Sequence, residues 1–168
     1  MNEPEKFLFF YRSDDEKPFS NWYLSNFTER NISFNCVEQY LNYHKALLFG
    51  DYEIAIKVLQ TINPFEQKKL GRMIKNYSVD EWNRNCRKII LKGNRLKFQQ
   101  NQTLYDKLIA TQGYTLVEAS ENDKILGVGL SEDNPDIQDK TKWLGKNLLG
   151  YTLSSLRESF ILKQEIDI

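Results

Sequence analysis

An acid, an amide and an amine recur at helical spacing in the stretch NCVEQYLNYHK, residues 35–45. Glu38, Asn42 and Lys45 stand at i, i+4 and i+7, a spacing that puts three side chains on one face of a helix. A carboxylate can stabilise a cationic sugar or activate water, and an amine of lowered pKa can form a Schiff base with an aldehyde. The line therefore indicates either a solvated helix flank or a catalytic surface.

Both charged residues also have a structural explanation. Asn35 as N-cap, with Glu38 three residues later, would form a variant of the capping box in which the carboxylate bonds a free backbone N–H. A lysine such as Lys45 is most often solvated. Capping and catalysis are compatible, because a carboxylate fixed by the first turn of a helix is already oriented.

A second carboxylate and several glycines follow later in the chain. Asp123 precedes Gly127 and Gly129 in ENDKILGVGL, and WLGKNLLG (143–150) contains Asn147 between two glycines. The first pattern lacks the third glycine and the following helix of a dinucleotide fingerprint, so a tight turn is the favoured interpretation. The second pattern has helical periodicity, where each glycine costs about 1 kcal/mol relative to Ala. It predicts either an ordinary helix or close approach of a ligand sugar or phosphate.

Two helices are expected to position most of these side chains. One is predicted from about Cys36 to Phe49, with Gly50 ending it, and a long one from Val79 to about Gln99. Ser78 followed by Glu81 marks the start of the long helix. Its apolar stripe is expected to bury Trp82, Cys86, Ile89 and Leu96.

The remaining elements are short, and the protein is predicted to be α+β, mainly helical, with a few short strands. Asn63 followed by Pro64 and Glu66 predicts another helix start. Helical patterns are also seen over 103–111 and from 139 onward, strands are predicted at 6–12, 31–34 and 115–120, and a long polar connection follows at 121–140. No repeat or linker interrupts the sequence, which predicts a single compact domain over 1–168.

Composition excludes several classes of function. The 23 basic residues balance the 23 acidic ones, so the chain lacks the basic footprint of a protein that grips long duplexes. Cys36 and Cys86 lack the spacing of a zinc site or a disulfide framework, and His44 is the only histidine. The N-terminal apolar run is too short for a signal peptide or a membrane span. These features predict a cytoplasmic protein without metal or cofactor.

Six segments, taken in order, resemble the NADAR family, also called YbiA-like. They are FSNWY (19–23), VEQYLNYHKALLF (37–49), LGR (70–72), WNRNCRKIILKGNRLKF (82–98), LVEASENDKILGVGL (116–130) and WLGKNLLG (143–150). The resemblance covers nearly the whole chain and implies a YbiA-like fold and a cytosolic N-glycosidase that cleaves a bond between a ribose carbon and a nitrogen. Substrates associated with the family are phosphorylated riboflavin-pathway intermediates and ADP-ribose attached to guanine.

The resemblance also implies roles for individual residues. The catalytic group would be Glu38, Lys45 and Asp123. The substrate-binding group, around the sugar, the phosphates and the base, would be Ser20, Asn21, Arg72, Trp82, Gly127, Gly129 and Asn147. One position departs from the family pattern. The residue before Gly127 is usually tryptophan in the family and is Leu126 here. The replacement removes a stacking contact, but it removes no proton donor and no nucleophile.

Three functions follow as alternatives. The first removes ADP-ribose from guanine in a nucleotide, a single strand or a flipped base, with possible functional pairing to an ADP-ribosyltransferase. The second cleaves riboflavin-pathway intermediates. The third is a module that binds NAD or ADP-ribose without cleaving it.

Overall fold

The computed structural model describes residues 4–166 of the chain. Its contacts divide the chain into two compact units, one formed by Met1–Ser20 with Thr103–Ile168 and the other by Asn21–Gln102. The single domain over 1–168 stays a prediction, and its residues 1–3 and 167–168 lie outside the described part.

The fold class predicted from the sequence is confirmed: residues 4–166 form six α-helices and four short strands. The strands are β1 (Lys6–Phe10), β2 (Phe27–Glu29), β3 (Ile32–Phe34) and β4 (Tyr114–Glu118). The helices are α1 (Val37–Leu48), α2 (Tyr52–Gln60), α3 (Pro64–Gly71), α4 (Val79–Gln99), α5 (Gln102–Ile109) and α6 (Leu148–Ile166). None of these helices has the length and apolarity needed to cross a bilayer.

In the unit 21–102, α1 packs against α2, α3 and α4. Its aromatic core joins the β2–β3 hairpin to the start of α1 through Phe27, Phe34, Val37 and Tyr40. The Phe34 and Tyr40 rings meet edge to face with centroids 5.0 Å apart, a favoured geometry for aromatic pairs. A second cluster, of Ala46, Ile54, Ala55, Val58 and Ile74, packs α2 against the other end of α1.

Side-chain caps explain where three of these helices begin. Asn63 accepts a hydrogen bond from the backbone of Phe65 at the start of α3, and Ser78 accepts one from Glu81 at the start of α4, as predicted. Helix α2 is not among the predicted elements, although Asp51 caps it by accepting from the amide of Ile54.

The capping box predicted for α1 is wrong. The N-cap is Cys36, and its side chain makes no capping hydrogen bond. The Asn35 amide group instead donates to the carbonyl of Ile62 at 2.6 Å and accepts from Gln67 at 3.0 Å. Asn35 therefore links the start of α1 to α3 instead of capping α1.

The stripe predicted to be buried on α4 is only partly correct. Cys86 is buried, but Trp82, Ile89 and Leu96 are half-buried. The face that is fully covered carries Cys86, Ile90, Gly93, Asn94, Lys97 and Phe98. Because two of those residues are polar, apolar periodicity alone places the centre of the buried face too far to one side.

In the other unit, β1 pairs with β4 in parallel, with Phe9 opposite Val117, and α6 packs on β4. Phe9 and Val117 belong to a core that also contains Ala119, Val128, Leu130 and Ile137. Helix α6 approaches the strand closely at Gly150, where an added Cβ would lie 2.1 Å from the carbonyl oxygen of Leu116.

The helix predicted from residue 139 begins later than expected. Short 3-10 turns occupy Pro135–Gln138 and Lys140–Lys142, and α6 starts at Leu148. Gly145 lies before the helix, where its amide donates to the Val128 carbonyl at 2.8 Å. A Cβ at Gly145 would be 2.3 Å from the carbonyl oxygen of Gly127, so this glycine is required by contact with the turn around residue 127.

A lysine lies fully buried on the inner face of α4. The ammonium of Lys97 stands 5.0 Å from the ring centre of Phe98 and 5.4 Å from that of Tyr23. Burial lowers the pKa of Lys97 to about 7, with a smaller opposing effect of Cys36. Burial also raises the pKa of the Cys36 thiol to about 12.

Lys97 is expected to make the free energy of unfolding rise with pH between about 7 and 9. In that window the unfolded chain holds the lysine proton and the folded chain has released it, so the unfolded state binds more protons. Above pH 9 the Cys36 thiol ionises in the unfolded chain first and acts in the opposite direction. We expect Lys97→Met to remove the rise, measured by urea unfolding at pH 7, 8 and 9.

The matched control for this experiment is Lys88→Met, at an exposed position of the same helix. It should leave the pH dependence of the wild-type chain unchanged. Equal slopes for wild type and Lys97→Met would show that the buried lysine does not titrate in this range.

Candidate active site

The polar line of α1 is buried, which excludes a solvated flank. Glu38 is 5% exposed and Asn42 is 3% exposed, while Lys45 is half-buried. Asn42 donates from Nδ2 to the Glu38 carboxylate at 2.9 Å and to the Glu38 carbonyl at 2.9 Å. The next turn of the helix therefore fixes the orientation of this carboxylate.

Gly71, at the end of α3, makes room for this arrangement. A Cβ on Gly71 would lie 1.8 Å from Oδ1 of Asn42, a separation that real atoms do not tolerate. The carbonyl of Gly71 accepts a hydrogen bond from Nζ of Lys45 at 3.1 Å. One residue of α3 thus contacts two of the three side chains in the polar line.

Lys45 lies among aromatic rings. Its Nζ is 4.7 Å from the ring centre of Tyr77 and 5.3 Å from that of Trp82. Burial lowers the pKa of Lys45 below its ordinary value; the charge of Glu38 opposes this shift and that of Arg72 adds to it. A lysine with a lowered pKa is neutral over a wider pH range, and the neutral amine is the nucleophilic form.

Asn21 contacts Glu38, and Asn94 contacts Asn21. The carbonyl of Asn21 accepts from the Glu38 amide at 2.9 Å, and its side-chain oxygen accepts from Nδ2 of Asn94 at 3.3 Å. Asn94 also donates to the carbonyl of Ile90, four residues earlier, which fixes how its amide is turned. Asn94 thereby links α4 to the first turn of α1.

This asparagine pair is incompletely satisfied. Asn21 Nδ2 and Asn94 Oδ1 are buried and have no hydrogen-bond partner among residues 4–166. Each such group costs about 1–3 kcal/mol, and groups of this kind occur at functional sites. The sequence gives one signal for Asn94, because it is a polar residue one turn from Ile90 on the face that α4 buries.

The predicted residues fall into two groups. The unit 21–102 brings together Glu38 and Lys45 with Asn21, Arg72 and Trp82, and with Asn42 of the predicted polar line. It adds Gly71, Tyr77 and Asn94, to which the prediction gave no role in the site. The other unit contains Ser20, Asp123, Gly127, Gly129 and Asn147. Contact of either group with a substrate stays a prediction.

Asp123 and the two glycines form a turn, in agreement with the favoured interpretation. Oδ1 of Asp123 accepts from the amides of Ile125 and Leu126 at 2.9 and 2.8 Å. Gly129 has a φ of +72°, which favours glycine, and a Cβ on Gly127 would lie 2.9 Å from two carbonyl oxygens. Part of the hydrogen-bonding capacity of the Asp123 carboxylate therefore holds the turn.

Asn147 has a clear structural role. It is fully buried at a φ of +50°, directly before α6. Its side chain accepts from the amide of Glu118 at 3.0 Å and donates to the carbonyl of Leu116 at 2.9 Å. These two hydrogen bonds hold the start of α6 against β4. Ser20, which belongs to the same unit, is also buried.

The fold and the site together define a mainly helical α+β protein with a buried acid and a half-buried lysine on one helix. The chain belongs to the NADAR domain family, whose model matches residues 9–161. This confirms the resemblance drawn from the six sequence segments.

Relatives cover nearly the full length of the chain. A protein of Acanthamoeba polyphaga mimivirus named N-glycosidase R617 is 38% identical over 93% of this chain and 97% of its own length. Escherichia coli N-glycosidase YbiA is 28% identical over 93% of this chain and 89% of its own length. The NMR structure of E. coli YbiA has a TM-score of 0.78 at 27% identity, covering 97% of this chain and 89% of that chain.

A further relative is a longer protein that this chain matches over part of its length. The Vibrio vulnificus protein named Riboflavin biosynthesis protein VVA0006 is 27% identical over 94% of this chain, and the match spans 39% of its own length.

Gly71→Ala is expected to destabilise the fold through Asn42. The added methyl group overlaps the Asn42 amide and forces it away from Glu38, so we expect a loss of about 1–3 kcal/mol from the buried hydrogen bond and the overlap. Urea unfolding measures the change.

Asn42→Ala is the control background for that substitution. Once the amide is removed, Gly71→Ala gains helix propensity, about 1 kcal/mol at most, and should be neutral or stabilising. Equal destabilisation in both backgrounds would show that Asn42 is not the group that requires glycine.

Proposed function

We propose that this chain is an N-glycosidase that hydrolyses a ribose carbon–nitrogen bond and removes ADP-ribose from guanine bases in nucleotides or nucleic acid. The observation that carries the reaction class is the buried line in which Asn42 orients the Glu38 carboxylate and burial lowers the pKa of Lys45. Relatives named N-glycosidase support the same class. The choice of ADP-ribose and guanine as the two parts of the substrate rests on the resemblance to the NADAR family.

Cleavage of an N-ribosyl bond requires stabilisation of a cationic sugar and protonation of the leaving nitrogen. The Glu38 carboxylate, when ionised, stabilises positive charge at the anomeric carbon or activates water. Asp123 stays the predicted second carboxylate, whose role Asp123→Asn would test by loss of turnover.

Lys45 offers a covalent route. Its neutral amine adds to the anomeric carbon of the opened sugar, the bond to the base nitrogen breaks with its electron pair going to nitrogen, and a proton completes the free base. Water then adds to the imine, releasing the sugar and restoring the amine. The net reaction consumes one water and needs neither metal nor redox partner.

Neighbouring residues suit the rest of such a substrate. Arg72 follows Gly71 at the end of α3, and its positive charge lowers the pKa of Lys45. Because a guanidinium can bind a phosphate through two hydrogen bonds, Arg72 suits a phosphate of the substrate. Trp82, half-buried next to the Lys45 ammonium, offers a ring on which a base can stack.

A second candidate is cleavage of phosphorylated riboflavin-pathway intermediates. It is favoured by the name of the Vibrio relative and by Leu126, which replaces the aromatic residue expected before Gly127. The site chemistry is the same for both candidates, so the substrate alone separates them.

A substrate panel read by the mass of the released sugar tests the proposal. We expect ADP-ribose and unmodified guanine from an ADP-ribosylated guanosine oligonucleotide. Release of ribose 5-phosphate from a phosphoribosyl aminopyrimidine alone would favour the second candidate. Binding of ADP-ribose without turnover of any member would show a binding module instead.

Turnover is expected to fall at least 100-fold in Glu38→Gln and in Lys45→Arg. Glutamine can still accept the Asn42 hydrogen bond, and arginine keeps a positive charge, so the thermal midpoint should change little. Borohydride added during turnover should join the sugar to the wild-type chain and not to Lys45→Arg. Lys69→Arg, at an exposed position of α3, is the control. Loss of the fold in both Glu38→Gln and Lys45→Arg would show that these two residues have a structural role instead of a catalytic one.

The pH profile of kcat should rise as Lys45 loses its proton. Because the charge of Arg72 lowers the pKa of Lys45, Arg72→Gln raises that pKa and should move the rising limb to higher pH. Measurement at saturating substrate separates this shift from weaker binding. If the rising limb stays at the same pH in Arg72→Gln, the group that titrates in it is not Lys45.

A further inference from the structure

Helix α3 presents a second chemically distinct face beside the Lys45 site. Phe65, Lys68 and Arg72 stand at i, i+3 and i+7, and therefore share one side of the helix. Phe65 is 59% exposed, Arg72 is exposed and Lys68 is half-buried. We call these three residues the α3 face.

Both ends of α3 are tied to the site. At its end, the Gly71 carbonyl accepts from Lys45. At its start, the Phe65 ring meets the Trp22 ring edge to face, with centroids 6.4 Å apart. Trp22 directly follows Asn21, whose carbonyl accepts from the Glu38 amide. The α3 face therefore runs alongside the line from Glu38 to Lys45 and spans about 10 Å by helical rise.

The charges of the α3 face suit an anion. Nζ of Lys68 lies 5.8 Å from the ring centre of Trp22. Glu66 is the only acid in the sequence of α3, and it pairs with Lys69 at 3.9 Å rather than with Lys68. An exposed ring at the start of the helix face, a cation one turn further on and a second cation at its end match a phosphate-bearing ligand that carries a flat base.

We propose that the α3 face binds the nucleoside diphosphate part of the substrate, with its base stacked on Phe65 and its phosphates on Lys68 and Arg72. The inference rests on the proposed function and assigns the part of the site that separates its two candidate substrates. A sugar that carries a nucleoside diphosphate fills the whole face. A ribose 5-phosphate reaches a cation but places no base on the Phe65 ring.

Calorimetric titration with ADP and with ribose 5-phosphate tests this assignment without requiring catalysis. We expect wild type to bind ADP more tightly than ribose 5-phosphate, and Phe65→Ala to weaken ADP binding roughly tenfold while leaving ribose 5-phosphate unchanged. Phe65→Trp should restore ADP binding, since it restores a stacking surface. Tyr52 is 66% exposed at the start of α2, and Tyr52→Ala, which removes its ring, should change neither affinity.

Two results would overturn the assignment. One is equal ADP affinity in Phe65→Ala and Tyr52→Ala. The other is a Phe65→Ala defect seen with an ADP-ribosylated oligonucleotide and absent with ADP, which would place a neighbouring nucleotide on the ring. Loss of ADP binding in Phe65→Ala supports the α3 face even if no N-glycoside is cleaved, and that outcome would reject the proposed function alone.

Discussion

The close approach of α1 and α3 at Gly71 is the constraint on which the candidate site depends. Because position 71 has no side chain, the Asn42 amide lies against α3 and reaches the Glu38 carboxylate. The same residue offers its carbonyl to Lys45. Buried polar groups need partners, and here one contact between two helices supplies them for both the acid and the amine. Gln67 adds two hydrogen bonds from the α3 side: its amide donates to the Asn35 side chain and accepts from the Cys36 thiol.

The sequence predicts the helices that carry this contact, because their signals are local. Asn63 and Ser78 cap helices within three residues of themselves, and such patterns can be read without the fold. Helix α2 has the same kind of signal in Asp51, which also accepts from the amide of Lys75; prediction from the sequence missed it. What no local pattern supplies is the choice of partner across the chain. Asn35 looks like a cap by spacing and is a link to α3 in the fold.

Buried polar residues were the other source of error. Apolar periodicity assumes that a buried face is apolar, whereas α4 buries Asn94 and Lys97 beside Ile90. Asn147 shows a related ambiguity, and its contact with a substrate stays a prediction. Its position in a glycine-rich segment resembles a ligand site, yet both ends of its amide bond β4. A single sequence does not distinguish an amide that holds two elements together from one that holds a ligand, because both uses need the same atoms.

The reactivity of Lys45 follows from the kind of partner it has. Its hydrogen bond goes to a neutral carbonyl, which stabilises an ammonium less than a carboxylate at the same distance does. Glu38 acts on it through charge, and the two residues are separated by about 10 Å of helical rise. Burial therefore outweighs the attraction, and the pKa of Lys45 falls. Had the acid stood one turn closer, an ion pair would hold the proton on the amine, and the acid and the amine would neutralise each other. The spacing of seven residues keeps the acid and the amine on one face of the helix without an ion pair that would hold the amine in its protonated form.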